Sequence, residues 1–434
     1  MAIITLNPDC VLGTIKPMNA VNNGPIKARS DQTRGNYDEY VAAKFPYARN
    51  HDAAHSSGPH VVDVNYIFTD FSKDENDPAS YDFTITDGLV RVTMNAGTEV
   101  FYRLGASIEH WSKKYNTLPP PDFHKWARIC EHIIAHYTEG WANGFNYNIT
   151  YWEIWNEADL DPDDSPNKRC WGGTKAEFFE LFKITATHLK KRFPHLKIGG
   201  PAIAGNWSWA EDFIREMGAA KVPMDFFSWH KYTVNPKDIA INHEHYRELL
   251  DQAGYHNTES HLNEYNYVRG WGEDWIYSIQ TMIGLKGAAF TAACMCVGQN
   301  CGLDMLMYYD LRPCVMNGVF DFYTLKPLKG YYAFTAFSTL YQMKNHIACQ
   351  CDDPDVYATA AKDDQGNMAV LISNYNNDDN ASYRTVTVSG IKDPVCYLTD
   401  ETYSAYRFTP PTDENGNVTL KLARNAFVLV RTRE

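Results

Sequence analysis

Residues 149–160 read ITYWEIWNEADL, a short apolar run that stops abruptly on an amide and a carboxylate, Asn156 and Glu157. A run of this length with aromatic and β-branched residues reads as a buried strand, Thr150 to Trp155. On both sides the pattern changes to helical spacing, over Asp122–Trp141 before it and Thr174–Phe193 after it. Thr174 with Glu177 three residues on has the form of a capping box, and Pro194 stops the second helix. Further outward the alternation repeats. Strand-like runs fall at Thr14–Asn19, Pro46–His51, Glu99–Leu104, Lys197–Gly200, Phe226–His230, His261–Tyr265 and Met305–Tyr309, and a last helix follows Pro327 as KGYYAFTAFSTLYQM. Eight strands alternating with helices predict an α/β fold, a (β/α)₈ TIM barrel over residues 16–345.

Beyond Asn345 the helical spacing ends. The segments VYATAA, MAVLISNY, YRTVTVSG, VTLKL and AFVLVRT are separated by the turn clusters DDQGN, NNDDN and DENGN, which predicts a C-terminal β-sandwich domain over 346–434. The β-like AIITLN near the start precedes the barrel, so residues 1–15 are expected to supply a strand to this sandwich.

Composition narrows the function. Hydrophobic residues make up 44% and charged residues 21% of the 434, ordinary globular usage. Forty basic against 53 acidic side chains give a net charge of −13, which repels phosphate backbones and argues against nucleic acid as a partner. No apolar stretch suggests a membrane partner, and the N-terminal MAIITLNPDC shows no signal peptide. A cytoplasmic location is therefore expected, with export open if a leader has been removed. Aromatics reach 14%, suited to stacking on ligand faces and equally to dense core packing. Ten cysteines are too dilute for a disulfide scaffold. The group Cys294, Cys296, Cys301 and Cys314 lacks paired spacing and begins in AAFTAACMCVG, so burial is expected rather than zinc.

In such barrels the chemistry sits at the carboxyl ends of the strands. Glu157 ends the fourth, and Glu264, in SHLNEYN, lies on the seventh. Two carboxylates converging on the barrel mouth are what glycosidic cleavage requires, one to protonate the leaving oxygen and one to support an oxocarbenium-like centre.

WEIWNEADL at Trp152–Leu160, KIGGP at Lys197–Pro201, DFFSWHKY at Asp225–Tyr232 and LNEYN at Leu262–Asn266 together resemble the strand motifs of glycoside hydrolase family 39. The resemblance implies a retaining glycosidase with Glu157 as acid/base and Glu264 as nucleophile. It also implies that Asn156 binds the hydroxyl next to the reacting carbon and that His230 lines the site. Arg49 and His51, in ARNHD, would hold the nucleophile ionised. Departures are Ala158 where the family has Pro, Asn263 where it has Thr, and Tyr308 and Tyr309 where many relatives carry Trp. Trp155, Tyr232, Tyr309 and Trp271 complete the expected substrate wall.

The mechanism implied is double displacement, with Glu157 kept protonated by burial and adjacent charge, and no metal or organic cofactor. The partner is a glycoside or oligosaccharide of plant-type or microbial glycans, cleaved from its end, with β-xylosidase or α-L-arabinosidase activity as first choice. An iduronidase-like activity would need a cation for the sugar carboxylate, from Lys231 or Arg269. The rivals are a non-catalytic glycan-binding protein on the same scaffold and a metal-dependent barrel hydrolase using His51, His55 and His230. Ring size, anomeric configuration, exo or endo action and any homo-oligomer stay open. Glu153 is expected to form a structural ion pair with Arg103 or Arg49. Trp207, Trp209 and Trp271 are placed in loops at the mouth, either stacking sugars or covering core, and the acidic loop Asp70–Asp77 reads as solvated.

Overall fold

The computed structural model describes residues 2–30, 32–53 and 60–433. After a long first strand β1 (Ala2–Thr14), eight strands follow with helices between them. They are β2 (Ala20–Asn22), β3 (Tyr47–Arg49), β4 (Glu99–Leu104), β5 (Tyr151–Ile154), β6 (Lys197–Ile203), β7 (Phe226–Thr233), β8 (Glu259–Tyr267) and β9 (Met305–Tyr308). Each is parallel to the next, and β2 pairs with β9 to close the barrel.

The barrel interior is written in steps of two residues, because alternate strand residues share a face. Ala20, Phe101, Tyr151, Phe226 and Met305 form one buried cluster at the lower end, and His261 stacks on Phe226 at 4.8 Å between ring centroids. Two positions further along six of the strands, the same face carries Asn22, Arg49, Arg103, Glu153, Ser228 and Asn263, all at 0% exposure. An apolar plug thus supports a dry polar layer just below the mouth.

The first barrel strand is corrected from Thr14–Asn19 to Ala20–Asn22. Thr14 ends β1, and Pro17, which has no N–H to give, interrupts the backbone before the ladder with β3 and β9 begins. The helix Lys175–Arg192 starts on Thr174, whose Oγ1 accepts the Glu177 N–H at 3.2 Å while Glu177 Oε2 accepts the Thr174 N–H at 2.7 Å. Asp122 caps Phe123–Thr138 by accepting the Lys125 N–H, and the chain turns at Gly140, at φ 73°, short of the expected Trp141.

Beyond the barrel, β10 (Asn345–Cys351), β11 (Tyr357–Lys362), β12 (Met368–Ser373), β13 (Arg384–Ser389), β14 (Pro394–Thr399), β15 (Tyr406–Phe408), β16 (Val418–Leu422) and β17 (Phe427–Thr432) follow. With β1 they form one mixed sheet in the order β15-β14-β17-β12-β11-β10-β1-β13-β16. β1 lies antiparallel to β10 and parallel to β13. Residues from both ends of this sheet, among them Ile4, Val370, Val388, Leu420 and Val428, share one core, so the sheet folds over on itself as a sandwich. Its other face, with Ala369, Leu371 and Leu429, joins the barrel's own core. That is why every residue of β12 is buried, without alternation. The helix Leu285–Cys301 is trapped between the layers, and every residue from Gly287 to Cys296 is buried. Cys294 and Cys296 are buried within it, and Cys296 Sγ lies 3.7 Å from the Leu371 carbonyl, so these thiols are packing groups.

Candidate active site

Two local departures from regular strand geometry aim the carboxylates. At the end of β5, Trp155 and Glu157 adopt positive φ, 71° and 49°. Such conformations cost about 1–3 kcal/mol each for residues with a Cβ and persist only where the surroundings enforce them. Here the Glu157 N–H donates to the Ala202 carbonyl at 2.9 Å. The second departure is a bulge in β8. Trp229 pairs with Leu262 but His230 pairs with Glu264, which leaves Asn263 unopposed. The extra residue lets Asn263 and Glu264, though consecutive, both reach the interior polar layer.

Arg49 organises that layer. Its Nε donates to Glu153 Oε2 at 2.6 Å, Nη1 to Glu264 Oε1 at 2.7 Å and Asn22 Oδ1 at 3.2 Å, and Nη2 to Asn156 Oδ1 at 2.6 Å. Glu153, the Arg49 partner as expected, also accepts from Ser228 Oγ at 2.6 Å and Asn263 Nδ2 at 2.5 Å. A buried ion pair is tolerated only when its remaining lone pairs and protons are satisfied, and these bonds do that.

Glu264 further accepts from the Tyr232 hydroxyl at 2.7 Å, and His51 Nε2 and His230 Nδ1 lie 3.6 and 3.5 Å away. Burial raises its pKa above the ordinary value, opposed by His230, Arg49 and the Tyr232 hydrogen bond. Glu157 Oε1 is 2.7 Å from His230 Nδ1, and Cys170 Sγ lies 3.8 Å from Oε2. His230 alone would be lowered by burial, but Glu264 and Glu157 together raise it. Glu157, His230 and Glu264 each present one polar atom within 4.8 Å of the others, so the carboxylates approach at least that closely.

The structure brings Glu157, Glu264, Asn156, His230, Arg49, His51 and Tyr232 into one cluster. Tyr309 lies at its edge, donating to Asp52 Oδ2 at 2.9 Å and accepting from Arg312 Nη2 at 2.7 Å. Trp271 stands at the rim, 60% exposed, edge-on to Tyr232 at 5.1 Å and stacked on Trp275. Trp155 is a correction. Its left-handed backbone turns the indole outward, where it packs on Trp126 and Trp171, donates to the Cys170 carbonyl and is 1% exposed. Trp207 and Trp209 are likewise not in loops but in the first turn of the helix Trp207–Ala219, and Trp209 is core packed on Phe179.

Sequence reasoning missed Asn22, Ser228, Asp52, Arg312 and Asp310. The two-residue step from the apolar plug would have found Asn22 and Ser228. Burial raises Asp52, but His51, Arg312 and Tyr309 outweigh it and hold the carboxylate well below its usual range. Arg312 in turn donates to Asp310 Oδ2 at 2.8 Å. The contacts of Asp52 with Tyr309 and Arg312 cross 257 and 260 residues and leave no local signal.

As a ligand set, Glu157, His230 and Glu264 have the compactness of a metal triad, and His230 Nδ1 lies at hydrogen-bond distance, 2.7 Å, from Glu157 Oε1. His51 Nδ1 accepts from the Arg103 guanidinium at 3.0 Å, which takes up that ring nitrogen. His55 lies outside the described residues.

The model of the family described as Glycosyl hydrolases family 39 matches residues 44–266, which contain both carboxylates. The β-xylosidase of Geobacillus stearothermophilus is 28% identical over 217 residues, covering 43% of this chain and 41% of that protein. The β-xylosidase of Caldicellulosiruptor saccharolyticus is 28% identical over 174 residues, 38% of this chain and 33% of that protein. The matched part is thus less than half of either relative. The crystal structure of a glucosidase from Croceicoccus marinus superimposes with a TM-score of 0.79 at 22% identity, covering 100% of this chain and 99% of that one, a likeness of fold.

Proposed function

Since the chain belongs to glycosyl hydrolases family 39, we propose that it is a retaining, exo-acting glycosidase of the β-xylosidase type. The observation that carries this reading is the approach of Glu157 and Glu264 to within 4.8 Å about a shared histidine. Retaining glycosidases hold the two carboxyl groups about 5–5.5 Å apart, whereas inverting ones leave about 6.5–9.5 Å for a water. In this reading Glu264 attacks the anomeric carbon as the glycosidic C–O bond breaks. Glu157 passes its proton to the departing oxygen, and His230, bonded to Glu157 and near Glu264, redistributes charge between them. In the second half Glu157 takes a proton from water, whose oxygen displaces Glu264 and returns it to the carboxylate form. Arg49 stabilises the anion at both ends of this cycle. Its hold on Asn156 Oδ1 leaves the Asn156 amide nitrogen, unpartnered among the described residues, as a donor to the sugar hydroxyl beside the reacting carbon.

The same geometry commits the buried guanidinium groups to carboxylates of the chain itself. The guanidinium of Arg49 is bound to Glu153 and Glu264, that of Arg103 to Asp63 and that of Arg312 to Asp310. Arg269 pairs with Asp274 on the exposed surface, and Lys231 has no carboxylate partner among the described residues. The two matched β-xylosidases point to a pentose. Release of xylose from an aryl β-xyloside, compared with an aryl α-L-arabinoside and an aryl α-L-iduronide, tests the assignment. Binding of xylo-oligosaccharides with no release from any of the three would transfer the protein to a binding role.

A further inference from the structure

Arg103, on β4, touches neither carboxylate of the pair, yet it is fully buried and tightly held. Its Nη2 donates to Asp63 Oδ1 at 2.6 Å and Ser107 Oγ at 3.2 Å, and Asp63 Oδ2 accepts the Ser107 N–H at 2.8 Å. That anchorage points its Nε–H at His51 Nδ1, 3.0 Å away. A guanidinium has donors and no acceptor, so the nitrogen facing it must be bare. The proton of neutral His51 is then on Nε2, 3.5 Å from Asp52 Oδ1 and 3.6 Å from Glu264 Oε1. From the geometry we infer that Arg103 is a positioning residue which locks His51 as the neutral Nε2–H tautomer and so aims an uncharged donor at the edge of the nucleophile.

The groups around His51 explain why an uncharged donor serves there. Arg49, Arg103 and His230 face it as cations or potential cations, Asp52 and Glu264 as anions, and the Tyr309 ring lies 6.3 Å away. Burial lowers the His51 pKa, and although Asp52 opposes this the cations reinforce it, so the ring stays neutral. A further full cation beside Glu264 would hold its charge too firmly for attack. The opposite tautomer would turn a bare lone pair toward two carboxylates. With the proton on Nε2, the N–H can lean to Glu264 while it is ionised and to Asp52 when the glycosyl ester has removed that charge. This sequence rests on the retaining-glycosidase reading; the tautomer itself does not.

The test has two arms. In wild-type protein labelled with ¹⁵N-histidine, the His51 ring, assigned by loss of its signals in His51→Gln, is expected to show a protonated Nε2 and bare Nδ1 throughout about pH 5–8. An imidazolium, or a proton on Nδ1, overturns the proposal. In turnover, Arg103→Met is expected to lower kcat about 10- to 100-fold with little change in KM, and Arg103→Lys, which keeps a donor, to recover most of it. A folded Arg103→Met with unchanged kcat also overturns the proposal. The spectroscopic arm needs no substrate and no variant of Arg103. A wrong tautomer alongside an inactive Glu264→Gln would therefore sink this inference alone, whereas an active Glu264→Gln would sink the glycosidase reading.

Discussion

Arg49 Nη1 lies 2.7 Å from Glu264 Oε1, and both side chains are removed from solvent, the first entirely and the second to 5%. The same guanidinium also holds Glu153. Removing it leaves two buried carboxylates uncompensated, so Arg49→Met is expected to cost about 3–5 kcal/mol in urea denaturation and to abolish turnover. Arg49→Lys should fold better but stay poorly active, because an ammonium cannot span Glu153, Glu264 and Asn156 at once.

The rate should follow a bell-shaped pH profile. In the proposed mechanism its acidic limb belongs to Glu264, which must be ionised to attack and whose pKa burial raises, so activity should fall as pH drops through a value above the ordinary glutamate range. Its alkaline limb belongs to the proton held at His230, whose pKa is raised by Glu264 and Glu157 against burial. Tyr232→Phe removes a hydrogen bond that favours ionised Glu264. The acidic limb should then move up by about one pH unit, read from kcat/KM against pH.

At the opposite end of the barrel, Glu259 is ion-paired to Lys197 and accepts from Tyr151 at 3.1 Å, with His261 Nε2 at 3.0 Å. Burial opposes its ionisation, but these partners bring its pKa down to about 2. A carboxylate depressed in the folded state stabilises above its unfolded value, and that contribution is lost as pH falls toward the folded one. From an ordinary glutamate value of 4.5 to about 2, the effect is at most about 3 kcal/mol. Glu259→Gln should flatten the decline of Tm over that acidic window, and an unchanged slope would remove Glu259 from the account.

Leu371 joins the sheet to the barrel through the shared core. Leu371→Ala should lower stability by about 2–5 kcal/mol. Because this core is continuous across both layers, denaturation of the variant should remain a single transition by fluorescence and circular dichroism; two separated transitions would show that the layers unfold independently.

Much of the frame was readable because it depends on local patterns. Thr174 and Glu177 announce a helix start, and the apolar-to-polar step from Tyr151 to Glu153 and on to Glu157 marks a barrel strand nearing its mouth. The first barrel strand was misplaced because only three residues pair there, after a proline. Strands β10, β14 and β15 escaped notice because NHIACQC, PVCYLT and YRF show little alternation. Glu157 and Glu264 were visible as carboxylates closing apolar runs. The outward turn of Trp155 was not, since it follows from a left-handed backbone. The Asp63–Arg103–His51 chain was hidden for a different reason, as it joins residues on separate elements that only the folded barrel brings together.

The central claim is double displacement through Glu264, and the configuration of the first-formed sugar tests it most directly. Proton NMR of the reaction mixture, recorded before the released sugar mutarotates, should show the anomer of the same configuration as the substrate, with Glu264→Gln slower by on the order of 10³-fold or more. Appearance of the opposite anomer first would contradict the account, because oxygens of Glu157 and Glu264 within 4.8 Å of each other fall short of the about 6.5–9.5 Å that inversion requires.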